Sequence, residues 1–486
     1  MARMNRQQKE QTRRDFLRAA ACAACTTQAM VNTVWDLRLI NAALAAGSPD
    51  AAFTDYKAMV CLFLYGGNDA NNMIIPTGAV DYANYQTARG VLSIPQASLL
   101  PINVANSDGR TWGLHPNCGE LQALFDAGKM AIIANVGTLV GPITLAQYQN
   151  NSAAKPPQLF SHNDQQVQWM TSIPDQPPQT GWGGRCADLL MSAAYGANPN
   201  TEVSMSLTVG GTNTFEVGRT VNQYSVSSNG TVTQFATGNG GASRLQVLRD
   251  LFTDATGSIN LFQSEFGAIS KRADDNAQTM SKVFNNTLNP PLATTFPNSS
   301  LGNQLRTISR IIKARFAAPG NIPEFAGFDR QIFFASVGGY DTHGDQLTTH
   351  ANLLNELSEG IAAFYTAMQE LGLGNNVTLF TSSDFGRTFA TNGVGSDHAW
   401  GSHQLVVGDA VTPGAGGGGN MYGLMPSIAL GNSQDVGQGR WIPTTSVDQY
   451  AATIAKWFGV SDADMNTIFP NLPRFSPRYL DFLQPT

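Results

Sequence analysis

The chain has 486 residues, long enough for one large domain with insertions or for two domains. Charged residues make up only 13% of it, against roughly 25% in an ordinary soluble domain, so Asn, Gln, Ser, Thr and Gly must supply the polar surface. The formal net charge is −6, a sign that disfavours nucleic acid, which rewards basic patches.

Residues 1–18, MARMNRQQKEQTRRDFLR, are basic and end in Arg13-Arg14-Asp15-Phe16-Leu17-Arg18. A small-residue run follows, and Ala43-Leu44-Ala45 offers an A-x-A cleavage site. The pattern predicts a twin-arginine export signal over 1–45, a periplasmic or extracellular destination, and the twin-arginine translocation machinery as a partner. Trp35-Asp36-Leu37-Arg38 places charges inside the apolar region of that signal. Residues 1–45 hold seven basic and three acidic residues, so their removal takes the formal charge from −6 to −10. An anionic substrate would then need a local positive centre. No stretch of the mature chain reaches the ~20 apolar residues that span a bilayer. Of five cysteines, Cys22 and Cys25 lie in the signal, Cys61 reads as a buried strand residue, and Cys118–Cys186 is a possible disulfide.

In chain order, Met59 to Tyr65 is an apolar run read as the first buried strand, and it ends in Gly66-Gly67-Asn68-Asp69-Ala70-Asn71-Asn72. A helix is expected over Gly119–Ala127 and a second buried strand over Lys129–Val136. Residues 139–180, rich in Pro, Gln and Asn, read as irregular. A helix opens at Thr180-Gly181-Trp182 and runs to about Ala194. Val203–Val209 and Thr231–Phe235 alternate like strands. Residues 243–316 form a helical section, with Leu245, Leu248, Leu251, Ile308, Ile311 and Ile312 among its periodic apolar positions. Gln331–Val337 is a strand ending in Gly338-Gly339-Tyr340-Asp341-Thr342-His343-Gly344. A helix follows over about Thr349–Leu371, then a strand over Asn376–Thr381 and a short one over Gln404–Gly408. Val447–Phe458 is a final amphipathic helix with Ser446 as its N-cap. No repeat of fixed period is present. These alternating elements predict an α/β fold: a central, mostly parallel or mixed sheet with helices on both faces.

Three buried-type strands therefore release acids, imidazoles or amides at their C-terminal ends, where open α/β sheets place ligand sites. Four of the six histidines lie in or beside these loops. Asp341 and His343, at i and i+2, share one side of an extended segment and make a two-ligand unit for a divalent ion; a turn-capping Asp and a surface His are the plain alternative. Asp384 is either a metal carboxylate or a helix-capping residue, and Arg387 has the fork geometry for an anionic oxygen. In Asp397-His398-Ala399-Trp400-Gly401-Ser402-His403, adjacent Asp397 and His398 diverge, so one of them would touch a metal and the other support it. Asp69 follows two glycines that let the backbone approach a ligand. Ser161, flanked by His162 and Asp164, is the candidate nucleophile, with Thr138 as its alternative. No Gly-x-Ser-x-Gly elbow is present.

Leu64-Tyr65-Gly66-Gly67-Asn68-Asp69-Ala70-Asn71-Asn72, Trp112-Gly113-Leu114-His115-Pro116, Thr180-Gly181-Trp182 and Gly339-Tyr340-Asp341-Thr342-His343 together resemble one family. So do Ser383-Asp384-Phe385-Gly386-Arg387-Thr388, Asp397-His398-Ala399-Trp400-Gly401 and Ser446-Val447-Asp448-Gln449-Tyr450. It is the exported bacterial domain-of-unknown-function family fifteen-oh-one, related to the alkaline phosphatase and sulfatase superfamily, and the likeness runs over about 55–470. The resemblance implies an alkaline-phosphatase-like sandwich over 46–486. It implies a divalent metal (zinc, manganese, calcium or magnesium) on Asp69, Asp341, His343, Asp384 and His398. Ser161 would be the nucleophile, Arg387 the anion clamp and His403 an acid–base or supporting residue. The superfamily's Asp-His-Gly is here Asp384-Phe385-Gly386, and the sulfatase Cys/Ser-x-Pro-x-Arg signature is absent. The expected function is an exported metal-dependent hydrolase of small anionic phosphate or sulfate esters. The alternative is a non-catalytic binding or assembly protein that keeps the fold; a polysaccharide-associated surface protein is a third reading, from composition alone.

Overall fold

Every residue of the strand Lys57–Leu64 is buried. Its alternate side chains enter two separate cores: Ala58, Val60, Leu62 and Leu64 on one side, Met59, Cys61 and Phe63 on the other. A continuous apolar run is what a strand covered on both faces requires, and the rest of the sheet is laid down on either side of it. The computed structural model describes residues 53–192, 194–198, 203–230, 241–317 and 320–484. The export signal expected at 1–45 and the strand expected at 231–235 lie outside these residues.

The strands are β1 (Lys57–Leu64), β2 (Ile74–Pro76), β3 (Leu100–Ile102), β4 (Trp112–Leu114), β5 (Met130–Gly137), β6 (Ser206–Thr208), β7 (Tyr224–Ser225), β8 (Arg330–Val337), β9 (Val377–Ser383), β10 (Ser402–Val407), β11 (Met421–Tyr422) and β12 (Thr445–Ser446). The main sheet runs β11-β5-β10-β9-β1-β8-β6-β7, with β12 also on β5. Its pairs are parallel except those made by β10, which is antiparallel to β5 and β9. A small antiparallel sheet, β2-β4-β3, stands apart.

One face is covered by the helices Gly119–Asp126, Ser300–Ala314 and Gln346–Glu370, the other by Trp182–Leu190 and Val447–Phe458. Leu301, Leu305, Ile308 and Ile312 show how this is done: they recur at i, i+4, i+7 and i+11 and are all fully buried. The fold is thus α/β with a mixed, mostly parallel sheet between helical layers. Among the described residues no helix is long and apolar enough to cross a membrane.

Two expectations need correction. Cys118 packs in the core on one face of the sheet and Cys186 in the core on the other, so the sheet separates them; both are free, as is Cys61. Residues 139–180 are not irregular throughout but contain the helices Leu145–Asn150 and His162–Thr171. The first starts from a Thr144/Gln147 capping box. The second has few apolar residues, yet Trp169 and Met170 anchor it in the core.

Ser446 caps Val447–Phe458 as expected, and a reciprocal capping box with Gln449 completes it. Ser446→Ala should cost about 1 kcal/mol in urea unfolding; an unchanged midpoint would mean that tertiary packing alone fixes this helix start.

Candidate metal centre

β8 and β9 flank β1 in register, with Leu64 opposite both Val337 and Ser383. The three loops that follow therefore leave the sheet side by side. Tyr340 donates its N–H to the Tyr65 carbonyl, and Asn68 donates its N–H to Ser383 Oγ at 2.8 Å. Gly66, at φ +113°, lets the loops touch: a Cβ there would sit 2.3 Å from the Asp341 nitrogen.

On this edge four side chains converge. The Asp341 carboxylate lies 3.0 Å from His343 Nε2 and 3.2 Å from His398 Nε2 through Oδ1, and 3.4 Å from His162 Nε2 through Oδ2. The two ring nitrogens of His343 and His398 are 2.9 Å apart. His162, Asp341 and His398 each offer a ligand atom within 4.8 Å of the others.

The opposite ring nitrogens fix the tautomers. His398 Nδ1 lies 2.7 Å from the Phe160 carbonyl, which can only accept, so Nδ1 carries the proton. His162 Nδ1 is 2.6 Å from Asp384 Oδ2, and the same oxygen accepts from Gln166 Nε2 at 2.9 Å. His343 Nδ1 is 3.1 Å from Asp397 Oδ1, which Asn392 also holds at 3.1 Å. With the proton at Nδ1, each ring in its neutral form turns an Nε2 lone pair toward Asp341. His162 Nε2 is buried and has no hydrogen-bond partner. Lone pairs facing a carboxylate repel unless positive charge sits between them. Histidines whose far N–H is tied to a carboxylate or carbonyl are how proteins present imidazole to a metal. Donor atoms around a tetrahedral zinc with ~2.0–2.1 Å bonds stand about 3.3 Å apart, close to the separations here. The donor set fits a divalent cation.

The electrostatics agree. Burial raises the Asp341 pKa, but the hydrogen bond and charge of Arg387, with smaller help from His343 and His162, outweigh it and leave the group below its ordinary value. Asp397 is likewise lowered overall, Asn392 and His343 overcoming burial. Burial lowers the His398 pKa, with His162 and Arg387 adding to this against the Phe160 carbonyl. His398 is therefore harder to protonate than an ordinary imidazole, which favours cation binding at Nε2.

Of the residues expected at the site, Asp341, His343 and His398 meet here, and Asp384 stands behind His162, fully buried. Asp69 lies deeper. It is wholly buried in an ion pair with Arg89 and a bond from Gln346, and makes no contact with the imidazoles that converge on Asp341. Arg387 is fully buried; it donates to Asp341 Oδ1 at 2.6 Å, to the Gly66 carbonyl at 3.2 Å and to the Ser396 carbonyl. It therefore holds the carboxylate and two loops in place, with little left for an outside anion. Ser161 donates to Asp164 Oδ2 at 2.6 Å, and Thr138 donates to Gln165 Oε1 at 2.9 Å. His403 is buried; its Nδ1 accepts the N–H of Asn135 at 3.0 Å, where β10 bulges against β5. Burial takes the His403 pKa down to about 4.

His162 is the ligand candidate that sequence reasoning passed over, reading it only as a neighbour of Ser161. The signal was present: His162 and Gln166 are spaced i, i+4 and both reach Asp384.

No curated protein matches the chain. Among solved structures, Ps i-CgsB in complex with k-i-k-neocarrahexaose is similar at 8% identity and TM-score 0.35, over 86% of this chain and 77% of that one. PsFucS1 sulfatase from Pseudoalteromonas sp. is similar at 10% identity and TM-score 0.32, over 86% of this chain and 75% of that one. Residues 324–469, the stretch that carries Asp341, His343, Asp384, Arg387 and His398, match the family described as "Protein of unknown function (DUF1501)".

Proposed function

We propose that this protein is an exported, divalent-metal-dependent hydrolase of phosphate or sulfate esters. The observation that carries the reading is the set of imidazole lone pairs, each locked by its far nitrogen, turned onto the Asp341 carboxylate. His162, Asp341 and His398 would hold the ion. A three-ligand set with an open side is the pattern of catalytic rather than structural sites, and the site is open, since the Asp341 and His343 side chains are 44% and 46% exposed. A cation held there supplies Lewis-acid polarisation of an ester oxygen and a lowered pKa for water. The chain's own groups do the rest. Asp384 and the Phe160 carbonyl would hold the ring proton of His162 and His398 at Nδ1, leaving Nε2 to face the ion. Arg387 turns Asp341 Oδ1 inward. Asp397 orients His343, whose Nε2 faces the same point and is placed to take up or return a proton there. Ser161 and Thr138 are engaged elsewhere, which favours water over a side-chain nucleophile.

Purified protein should hold about one equivalent of zinc, manganese, magnesium or calcium by elemental analysis, and Asp341→Ala and His398→Ala should retain about a tenth of it or less. The metal-loaded protein should hydrolyse p-nitrophenyl phosphate or sulfate. A folded wild type that takes up none of these ions overturns the reading. Asp384→Asn should weaken metal binding about 10–100-fold by releasing His162; isothermal titration with unchanged affinity would remove Asp384 from the site.

The closeness of His343 Nε2 to His398 Nε2 favours one second reading: a closed four-donor site in an exported binding or assembly protein. In that case His343→Ala also loses the metal, and neither ester turns over.

A further inference from the structure

The helices Gly241–Thr256 and Leu261–Val283 form a hairpin. Phe252 meets Phe266 edge-on with ring centroids 6.4 Å apart, and Arg249 Nε pairs with Asp274 Oδ2 at 2.6 Å. Gly267 lies so close to the first helix that a Cβ there would be 2.7 Å from Ala255 Cβ. The second helix splits along its length: Ala277, Met280 and Val283 are buried, whereas its first half carries large apolar side chains in water. Ile259 in the turn is fully exposed, and Leu261, Phe262 and Phe266 are 83%, 90% and 65% exposed. Ile269 continues the face, at i+3 from Phe266 and i+7 from Phe262, and Val247 and Leu251 are exposed on the other helix. So many exposed large apolar side chains on one hairpin mark an interaction surface.

We infer that this face self-associates, packing the hairpins of two copies of the chain into a four-helix bundle about a twofold axis. Two features favour a second copy as the occupant. The first is area. Seven large apolar side chains at these exposures offer on the order of 800 Å², matching the ~800 Å² per partner of a standard interface. The second is charge. The exposed charges near the tip are acidic, with Asp254 and Glu265, while on the stem Arg272 flanks the apolar face and Lys271, on the far side of the helix, is paired with Asp275 at 2.6 Å. Seven helical steps take Glu265 to Arg272, about 10 Å. An antiparallel twofold pairing brings the acidic tip of one copy against the basic stem of the other. A lipid surface fits less well, since interfacial helices carry Lys and Arg beside the inserted apolar residues.

The test is sedimentation velocity of the full exported chain at micromolar concentration. Wild type should run as a dimer. Phe262→Glu with Phe266→Glu should weaken association at least ~100-fold, since two central aromatic anchors are lost. Phe266 also packs on Phe252 within the hairpin, so Leu261→Glu with Phe262→Glu, whose side chains are 83% and 90% exposed, is the second variant; it should weaken the dimer likewise while circular dichroism and metal content stay at wild-type values. Glu265→Lys should weaken the dimer about 10-fold, and adding Arg272→Glu should restore it. A monomeric wild type, or a dimer untouched by the double Phe variant, overturns the proposal. Co-sedimentation of monomeric protein with phosphatidylcholine vesicles, lost in the double Phe variant, would assign the face to lipid instead. None of these outcomes depends on the metal centre.

Discussion

Arg89→Met is expected to destabilise the protein by about 3–5 kcal/mol, because it strands a buried carboxylate. Arg89 and Asp69 are both fully buried and paired. Arg89 also donates to Asn72 Oδ1 at 3.0 Å and to the Thr388 carbonyl at 2.8 Å, tying the loop after β1 to the loop after β9. Asp69 Oδ1 has no partner even in the intact protein, so only the neutral Gln346 amide is left to the carboxylate once the guanidinium is gone. Changing both residues, to Arg89→Met with Asp69→Leu, should recover most of the loss, since a buried pair often roughly breaks even against an apolar replacement. Urea unfolding measures both. The same network reaches the candidate metal site: Gln346 donates to Asp69 and accepts from Ser396 Oγ at 2.6 Å, and Ser396 is held by Arg387, which grips Asp341. The single variant should therefore also bind metal more weakly than wild type. A variant as stable as wild type would show that Asp69 is not committed to this pair.

Glu216 sets a pH dependence of similar size. It is fully buried, accepts from Asn213 Nδ2 at 2.9 Å through Oε2, and leaves Oε1 without a partner. Burial pushes its pKa up to about 8, against hydrogen bonds from Asn213 and the Leu207 backbone. In the unfolded chain the group titrates near 4.5. Between these values the folded protein binds the extra proton, so stability falls as pH rises. The contribution is complete below about pH 4.5 and is lost as pH climbs through about 8, up to about 4–5 kcal/mol in all. Glu216→Gln keeps an acceptor for Asn213 and carries no charge at any pH. It should match wild type near pH 4.5 and exceed it by several kcal/mol at pH 9. Parallel stability curves for the two proteins would rule out an ionising Glu216.

Strands and their ends were readable from the sequence because β1, β8 and β9 are buried on both faces and bounded by Gly or Ser. Their parallel register then brought Asp341, Asp384 and His398 to one edge, as strand-end logic predicts. Depth was not readable. Asp69 looks like Asp341 in sequence, each following a glycine-rich turn, but a helix twenty residues later supplies the arginine that neutralises it. His403 looked available for proton transfer. Asn135, at a left-handed φ of 45°, turns its N–H onto that ring instead, a conformation Asn tolerates well. His162 was hidden because its helix is mostly polar and so lacks the apolar period that flags a helix.

The position of β1 between β8 and β9 also dictates how the chain can be made. Lys57 pairs with Arg330, some 270 residues further on, and Ala58 with Val377. A nascent chain emerging from the ribosome carries the central strand with both of its edges unpaired until most of the protein has been synthesised. Loop closure over such spans is slow, and unpaired apolar strands invite aggregation meanwhile. Production of this protein should therefore depend on chaperones that hold the N-terminal third until the last third arrives, and a truncation before β9 should yield aggregate rather than a smaller folded domain.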